Sequence, residues 1–287
     1  MAGAGIKEIK NRIGSVQSTK QVTKAMELVS SSKMRKAKDR ALASRPYFNT
    51  MYETVKDIAS NTRGVRDPFL KQREVKNKCY IVIAGDRGLA GGYNSNIFKL
   101  TTAHMDGKQE KVMTVGKKAT EFFQKRGYDI VAAEESVEKC DYDSTLALAN
   151  QAMDLYKKGE IDELYICYTE FISALSQEPK IVKLLPVTID NTNTEKEVKK
   201  GKAAVQYLPS ADAVLGYVLP KYVSGSVYGA IAESFASEQS ARRNAMKSAS
   251  DNADEMLSTL ELSYNRARQS AVTQEITEIV GGVEALK

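Results

Sequence analysis

Two runs of apolar residues spaced alternately three and four apart, one at each end of the chain, constrain this 287-residue sequence more than any other feature. In the first run Ile6, Ile9, Ile13 and Val16, then Met34, Ala37, Ala41, Phe48, Met51, Val55 and Ile58, keep one frame, which is the signature of a long helix with one packing seam. Between the two groups the frame passes through Lys20, Thr23, Glu27 and Ser30, while the apolar Val22, Met26 and Val29 lie on another face. A polar seam lowers pairing stability, so the shift implies a second partner facing those three residues.

The C-terminal run repeats the theme. Met246, Ala249, Ala253, Met256, Leu260 and Ala267 share one register, and Val272, Ile276, Ile279, Val283 and Leu286 share another. Residues 221 to 286 as one helix would reach on the order of 100 Å at 1.5 Å per residue, so such a helix needs support along its length. Small residues at Ala249, Ala253 and Ala267 let a second helix approach closely, which makes the N-terminal helix, running antiparallel, the expected mate. Charge agrees: residues 1–60 carry 12 Lys and Arg against 5 Asp and Glu, and residues 210–287 carry 7 against 10. Opposite signs favour the pair modestly. Pro220 either opens the C-terminal helix in its first turn or kinks one that starts near Ser210.

Between the helices the period changes. Cys79 to Ala84 reads as a short buried strand, followed by a Gly-rich turn (GDRGLAGGYNSN) and a helix from about Ser95. Strands are expected at Val112–Val115, Asp129–Ala133 and Leu164–Thr169, with helices at Lys117–Lys125 and Ser144–Lys158 between them, an alternation that implies a mainly parallel sheet in a Rossmann-like α/β domain. A hairpin of Leu164–Ser173 with Lys180–Val187 follows, then a polar loop over 190–202 and an edge strand over 204–208. The expected layout is a helix over 1–60, an α/β domain over 76–209 and a helix over 210–287.

Candidate chemistry is sparse. Gly85, Gly88, Gly91 and Gly92 follow a strand, yet their G-x-x-G-x-x-G spacing is not the dinucleotide fingerprint and no G-K-[ST] accompanies them; tight backbone geometry is the better reading, with Asp86 and Arg87 left as a weak partner contact. His104, the sole histidine, has no nucleophile or carboxylate constellation in the sequence and reads as a helix-end residue. Cys79, Cys140 and Cys167 are isolated, which indicates neither zinc nor a disulfide framework. Met26, Met34, Met51, Met246 and Met256 read as seam packing. The run Lys33, Arg35, Lys36, Lys38, Arg40 fits a solvated helix face and an acidic docking surface equally. A net charge of +6 gives little support to nucleic-acid binding. No stretch approaches 18 apolar residues, and the first residues lack the apolar core of a signal peptide and the Arg/Ser bias of a transit peptide, so no membrane span is expected.

Residues at both ends do more than fit a period. Gln21–Arg40 (QVTKAMELVSSSKMRKAKDR) closely resembles the N-terminal helix of the gamma-subunit family of F-type ATP synthases, Ser263–Leu286 (SYNRARQSAVTQEITEIVGGVEAL) resembles that family's C-terminal signature, and GDRGLAGGYNSNIFK resembles its Gly-rich turn. The likeness covers essentially the whole chain and departs from the family at Gly282-Val283, where Gly-Ala is usual.

The resemblance implies a non-catalytic rotor without cofactor or metal. In the family an antiparallel coiled coil enters a ring of three alpha and three beta subunits, and the α/β domain grips the epsilon subunit and the membrane c-ring. Such a rotor couples c-ring rotation to cycling of catalytic sites at alpha–beta interfaces and regulates ATPase activity and proton flow. The implied location is peripheral, on the cytoplasmic side of the cell membrane. By motif position the implied rotor–stator contacts are Lys20, Thr23, Lys24, Met26, Arg35, Arg242, Gln269 and Thr273, and Ile276, Ile279, Val280, Val283 and Leu286 form a tip seated in a hydrophobic bearing. A nucleotide-binding α/β enzyme and a coiled-coil tether or nucleic-acid binder are the alternatives.

Overall fold

The computed structural model describes residues 2–61, 67–71, 73–187 and 207–285. Its elements in chain order are α1 (Ala2–Asn61), β1 (Lys78–Ile83), α2 (Tyr93–His104), β2 (Lys111–Val115), α3 (Lys117–Lys125), β3 (Asp129–Glu134), α4 (Tyr142–Lys158), β4 (Glu163–Phe171), β5 (Gln177–Leu185) and α5 (Ala211–Ala285). The chain divides into two compact units, one of Met1–Ser31 with Arg242–Lys287 and one of Ser32–Ala241. The polar loop expected over 190–202, the first part of the edge strand expected over 204–208, and Leu286 fall outside the described residues.

The larger unit is built on one five-stranded sheet in the order β3-β2-β1-β4-β5, parallel except for β5, which returns antiparallel to β4. β1 is buried from Cys79 to Ile83 because both faces of the sheet are covered. Alternation then sorts its side chains. Cys79, Ile81 and Ile83 join a core with Leu148, Ala152 and Tyr156 of α4, Val55 and Ile58 of α1, and Leu219, Val223 and Val227 of α5. Tyr80 and Val82 point the other way, towards Ile97 and Phe98 of α2 and Ala119 and Phe123 of α3.

Local chemistry fixes where these elements start and stop. Asp141 caps α4 by accepting the Ser144 N–H at 2.9 Å, and Gly159 ends it in the left-handed region. Between β2 and α3 the backbone turns at Gly116 with φ 95°, where a Cβ would stand 2.0 Å from the Ala84 carbonyl oxygen. Only glycine fits there. The Ser210 hydroxyl accepts the Ala213 N–H, and α5 runs from there through Pro220, so the proline is an interior residue of a helix that begins before it.

In the smaller unit the two long helices pack as an antiparallel coiled coil, since Lys20 meets Asp254 while Thr23 meets Ser250. The α1 seam passes through Ile6, Ile9, Ile13, Val16, Lys20, Thr23, Glu27 and Ser30, all at least half-buried, without leaving its frame. On α5 it passes through Met246, Ser250, Ala253, Leu257, Leu260, Tyr264, Ala267 and Ala271. Met256 is therefore not a seam residue. It is 46% exposed, because the seam that faces α1 passes from Ser250 and Ala253 to Leu257. The helix continues through Gly281 and Gly282 to Ala285.

Candidate functional site

In a doubly wound sheet, ligands bind outside the carboxyl ends of the strands where the order reverses, here between β1 and β4. The Gly-rich turn stands at that position, and α5 has filled it. A methyl group on Gly85 would meet the Glu238 carboxylate at 2.7 Å, so the chain's own acid lies where an anionic ligand would approach the loop. Beside it Ser234, Ser237 and Ser240 are fully buried and bond to the sheet unit. Tyr93, the first residue of α2, places its hydroxyl 2.7 Å from Ser234 Oγ, and Ser237 Oγ donates to the Thr169 carbonyl at 3.0 Å. Ser240 Oγ donates to the Ala174 carbonyl at 2.8 Å. The crevice is a polar joint rather than an open site.

The turn itself is stapled from within. Asp86 accepts from Ser136 Oγ at 2.8 Å and from the Val137 N–H at 3.0 Å, which engages both carboxylate oxygens, while Arg87 is exposed on the surface of the turn. His104 Nδ1 lies 3.0 Å from the Tyr80 hydroxyl at the end of α2, and its ring meets Tyr165 edge-on. Among the described residues no group of three or more His, Cys, Asp or Glu is placed to hold a metal ion. Burial pushes the Cys79 and Cys167 thiols up to about 12 and raises that of Cys140. These thiols are buried hydrophobes with little thiolate at neutral pH.

The shaft presents a different kind of surface. Its seam between residues 20 and 30 is polar: Thr23 Oγ1 lies 2.7 Å from Ser250 Oγ, Lys20 pairs with Asp254 at 2.5 Å, and the buried Glu27 accepts from Lys24 at 2.9 Å. Outward from the same stretch point Val22, Leu28 and Val29, 58%, 63% and 55% exposed, with Met26 half-buried. This inverts the usual arrangement of an amphipathic helix. On α5 every residue from Val272 to Val283 is exposed, including Thr273, Ile276, Ile279, Val280 and Val283, and Gln269 is exposed just before them. Arg242 is buried.

The basic run on α1 splits between two roles within the larger unit. Lys33 Nζ reaches both Glu138 carboxylate oxygens at 2.7 and 2.8 Å, and Arg40 Nε donates to the Tyr228 hydroxyl at 2.5 Å. Arg35, Lys36 and Lys38 remain exposed. Lys33, Lys36 and Arg40 edge a cavity of about 210 Å³ floored by Val137, Ile231 and Phe235. No described helix is long and apolar enough to cross a membrane.

Residues 5–286 match the family model described as ATP synthase. The chain is 47% identical to the "ATP synthase gamma chain" of Alkaliphilus metalliredigens, over 99% of its own length and 100% of that protein's. It is 43% identical to the "ATP synthase gamma chain, sodium ion specific" of Acetobacterium woodii, over 98% of each. The chain belongs to the ATP synthase gamma-chain family. Among solved structures, the fold resembles a chain of the Euglena gracilis mitochondrial ATP synthase, with TM-score 0.68 and 20% identity over 99% of this chain and 95% of that one. It also resembles a chain from the central stalk and c-ring of the Tetrahymena thermophila enzyme, with TM-score 0.60 and 25% identity over 80% and 99%.

Membership makes the chain a non-catalytic subunit of the ATP synthase and a component of its rotor. The structure places the residues singled out by motif in three settings. Lys20, Thr23, Lys24, Met26 and Arg242 lie on or beside the polar part of the seam, and Gln269, Thr273, Ile276, Ile279, Val280 and Val283 are bare to solvent. Arg35, on the larger unit, is exposed. The serines at 234, 237 and 240 carry no motif that marks them in the sequence. Their three-residue spacing is itself a signal, since it puts three short hydroxyls on one helix face, but small polar residues on a helix are read as solvated unless a facing backbone is known.

Proposed function

We propose that the chain is the shaft around which three alpha and three beta subunits of an F-type ATP synthase are arranged, and that it acts through contact surfaces alone. The observation that carries this reading is the inverted segment together with the bare tip. A coiled coil with polar residues in its seam and Val22, Leu28 and Val29 outside gains little from pairing at that level, and a surrounding partner would bury the apolar side chains. An asymmetric shaft inside a near-threefold ring meets each copy with a different face. The contact energy therefore differs from copy to copy and biases each towards a different conformation.

In this reading Lys20, Lys24, Met26 and Arg35 meet acidic segments of the beta subunits. Thr23 and Arg242, both buried, shape the shaft from inside it. Gln269 and Thr273 lead into the tip, where Ile276, Ile279, Val280 and Val283, with Leu286, enter an apolar socket. Arg87 and the Asp86 turn lie on a further contact face. The epsilon subunit and the c-ring hold the α/β domain, and the assembly sits peripherally on the cytoplasmic side of the cell membrane. ATP chemistry takes place at the alpha–beta interfaces, whose subunits supply the nucleotide sites.

Reconstitution tests this. Mixed with alpha and beta subunits, the chain is expected to co-purify with them and yield ATP hydrolysis that vanishes when the beta nucleotide site is disabled. Hydrolysis or nucleotide affinity of the isolated chain would contradict it.

A further inference from the structure

β4 runs beyond its neighbour. Its last pairing with β1 is Val82 with Cys167, yet the strand continues to Phe171. Past Cys167 its backbone on that side has no strand to bond, and buried amide and carbonyl groups must find partners elsewhere. Helix α5 supplies them. The Thr169 N–H donates to Ser234 Oγ at 3.3 Å and the Thr169 carbonyl accepts from Ser237 Oγ at 3.0 Å, so two hydroxyls one helical turn apart take the place of the missing strand. Ser240 extends the row by donating to the Ala174 carbonyl and accepting from Gln177 Nε2 at 3.3 Å. Tyr93 closes it from the α2 side through the carbonyl and hydroxyl of Ser234.

We propose that this row is a rotational lock, by which Ser234, Ser237 and Ser240 hold α5 at one azimuth against the sheet so that torque passes between them without slip. Directionality separates the two kinds of contact. Apolar contacts such as those of Val223 and Val227 with the sheet core resist separation, but they are non-directional and can repack when a helix turns about its axis. A hydrogen bond weakens steeply once its angle falls. Three hydroxyls on one face, each aimed at a fixed backbone group, define an angle and not only a distance. They are positioning residues, remote from any reacting atom.

The inference rests on the rotor reading, and the test separates the two. The triple variant Ser234→Ala, Ser237→Ala, Ser240→Ala is assembled into the complete membrane-bound enzyme, and ions pumped per ATP hydrolysed are measured beside the melting temperature. Hydrolysis is expected to persist while the pumping ratio falls about threefold or more, the scale expected when bonds of modest net strength are lost. Val227→Ala, a truncation on the apolar side of the same helix, is expected to lower the melting temperature and leave the ratio intact. Ser237→Thr is expected to keep the ratio by retaining the hydroxyl.

An unchanged ratio in the triple variant, or an equal loss in Val227→Ala at the same melting temperature, would overturn the lock. Should the triple variant fail to assemble, Ser240→Ala alone, at the end of the row, carries the same comparison with a smaller expected fall. Failure of the unmodified chain to support pumping would count against the rotor reading instead.

Discussion

The sheet unit and the shaft unit invert each other's use of polarity. Around the sheet, apolar side chains face inward from both layers and α5 bonds to strand backbone through buried serines, so the core of this unit is closed by its own chain. Along the shaft, Lys20, Thr23, Glu27 and Ser30 fill the seam while Val22, Leu28, Val29 and the residues from Val272 to Val283 face water. The contrast separates a body that carries its own stability from a surface built to be completed by something else. Exposed apolar residues are commonplace singly, but in a continuous series they mark an interaction site.

The comparison breaks first if truncation costs the same in both places. Ile81→Ala, fully buried in β1, is expected to destabilise the sheet unit by about 2–5 kcal/mol in denaturant unfolding, whereas Ile279→Ala at the tip is expected to change stability by less than about 0.5 kcal/mol. Gly116→Ala tests the turn between β2 and α3. Its φ and the collision with the Ala84 carbonyl predict a loss of about 2–3 kcal/mol or failure to fold, read by the same measurement.

The polar seam sharpens the contrast. Thr23→Val alone leaves the Ser250 hydroxyl buried without its partner and is expected to cost about 1 kcal/mol, while Thr23→Val with Ser250→Ala is expected to be neutral or stabilising, as a double-mutant cycle would show. Lys20→Ala removes a half-exposed ion pair and should cost only about 0.2–1 kcal/mol, shrinking further in high salt.

The buried thiols make alkaline titration a probe of the sheet. Unfolded thiols release their protons from about pH 8.5–9, whereas the native Cys79 and Cys167 hold theirs to about 12. The native state therefore binds more protons across that window, and stability must fall as pH rises through it. Reaction of native thiols with a thiol reagent at pH 8 should be slow, and replacing Cys79 and Cys167 by Ala or Ser should flatten the alkaline slope.

Much of this architecture was legible in the residues. The buried run at Cys79–Ala84, the βα alternation and the long seams identify a Rossmann-like sheet flanked by paired helices because each rests on a period that local geometry imposes. Two features were not legible. The three-four alternation allows Met256 or Leu257 after Ala253, and only the neighbouring helix decides between them. The serines at 234, 237 and 240 gained meaning only when β4 proved to outrun β1, a fact of strand register that no local pattern carries. The proposed contact roles of Lys20 and Arg35 came by resemblance, since both look like ordinary charged residues of a helix, whereas the separate face of Val22, Met26 and Val29 was legible in the period itself.

Which side chains a partner covers is the decisive measurement. Cysteines placed singly at Val22, Val29, Ile276 and Ile279 should react with a maleimide at comparable rates in the isolated chain. In the reconstituted, hydrolytically active complex with alpha and beta subunits, labelling at all four should be strongly suppressed. Full labelling of those positions in an active complex would contradict the claim that the inverted shaft and its tip are the surfaces through which the chain works.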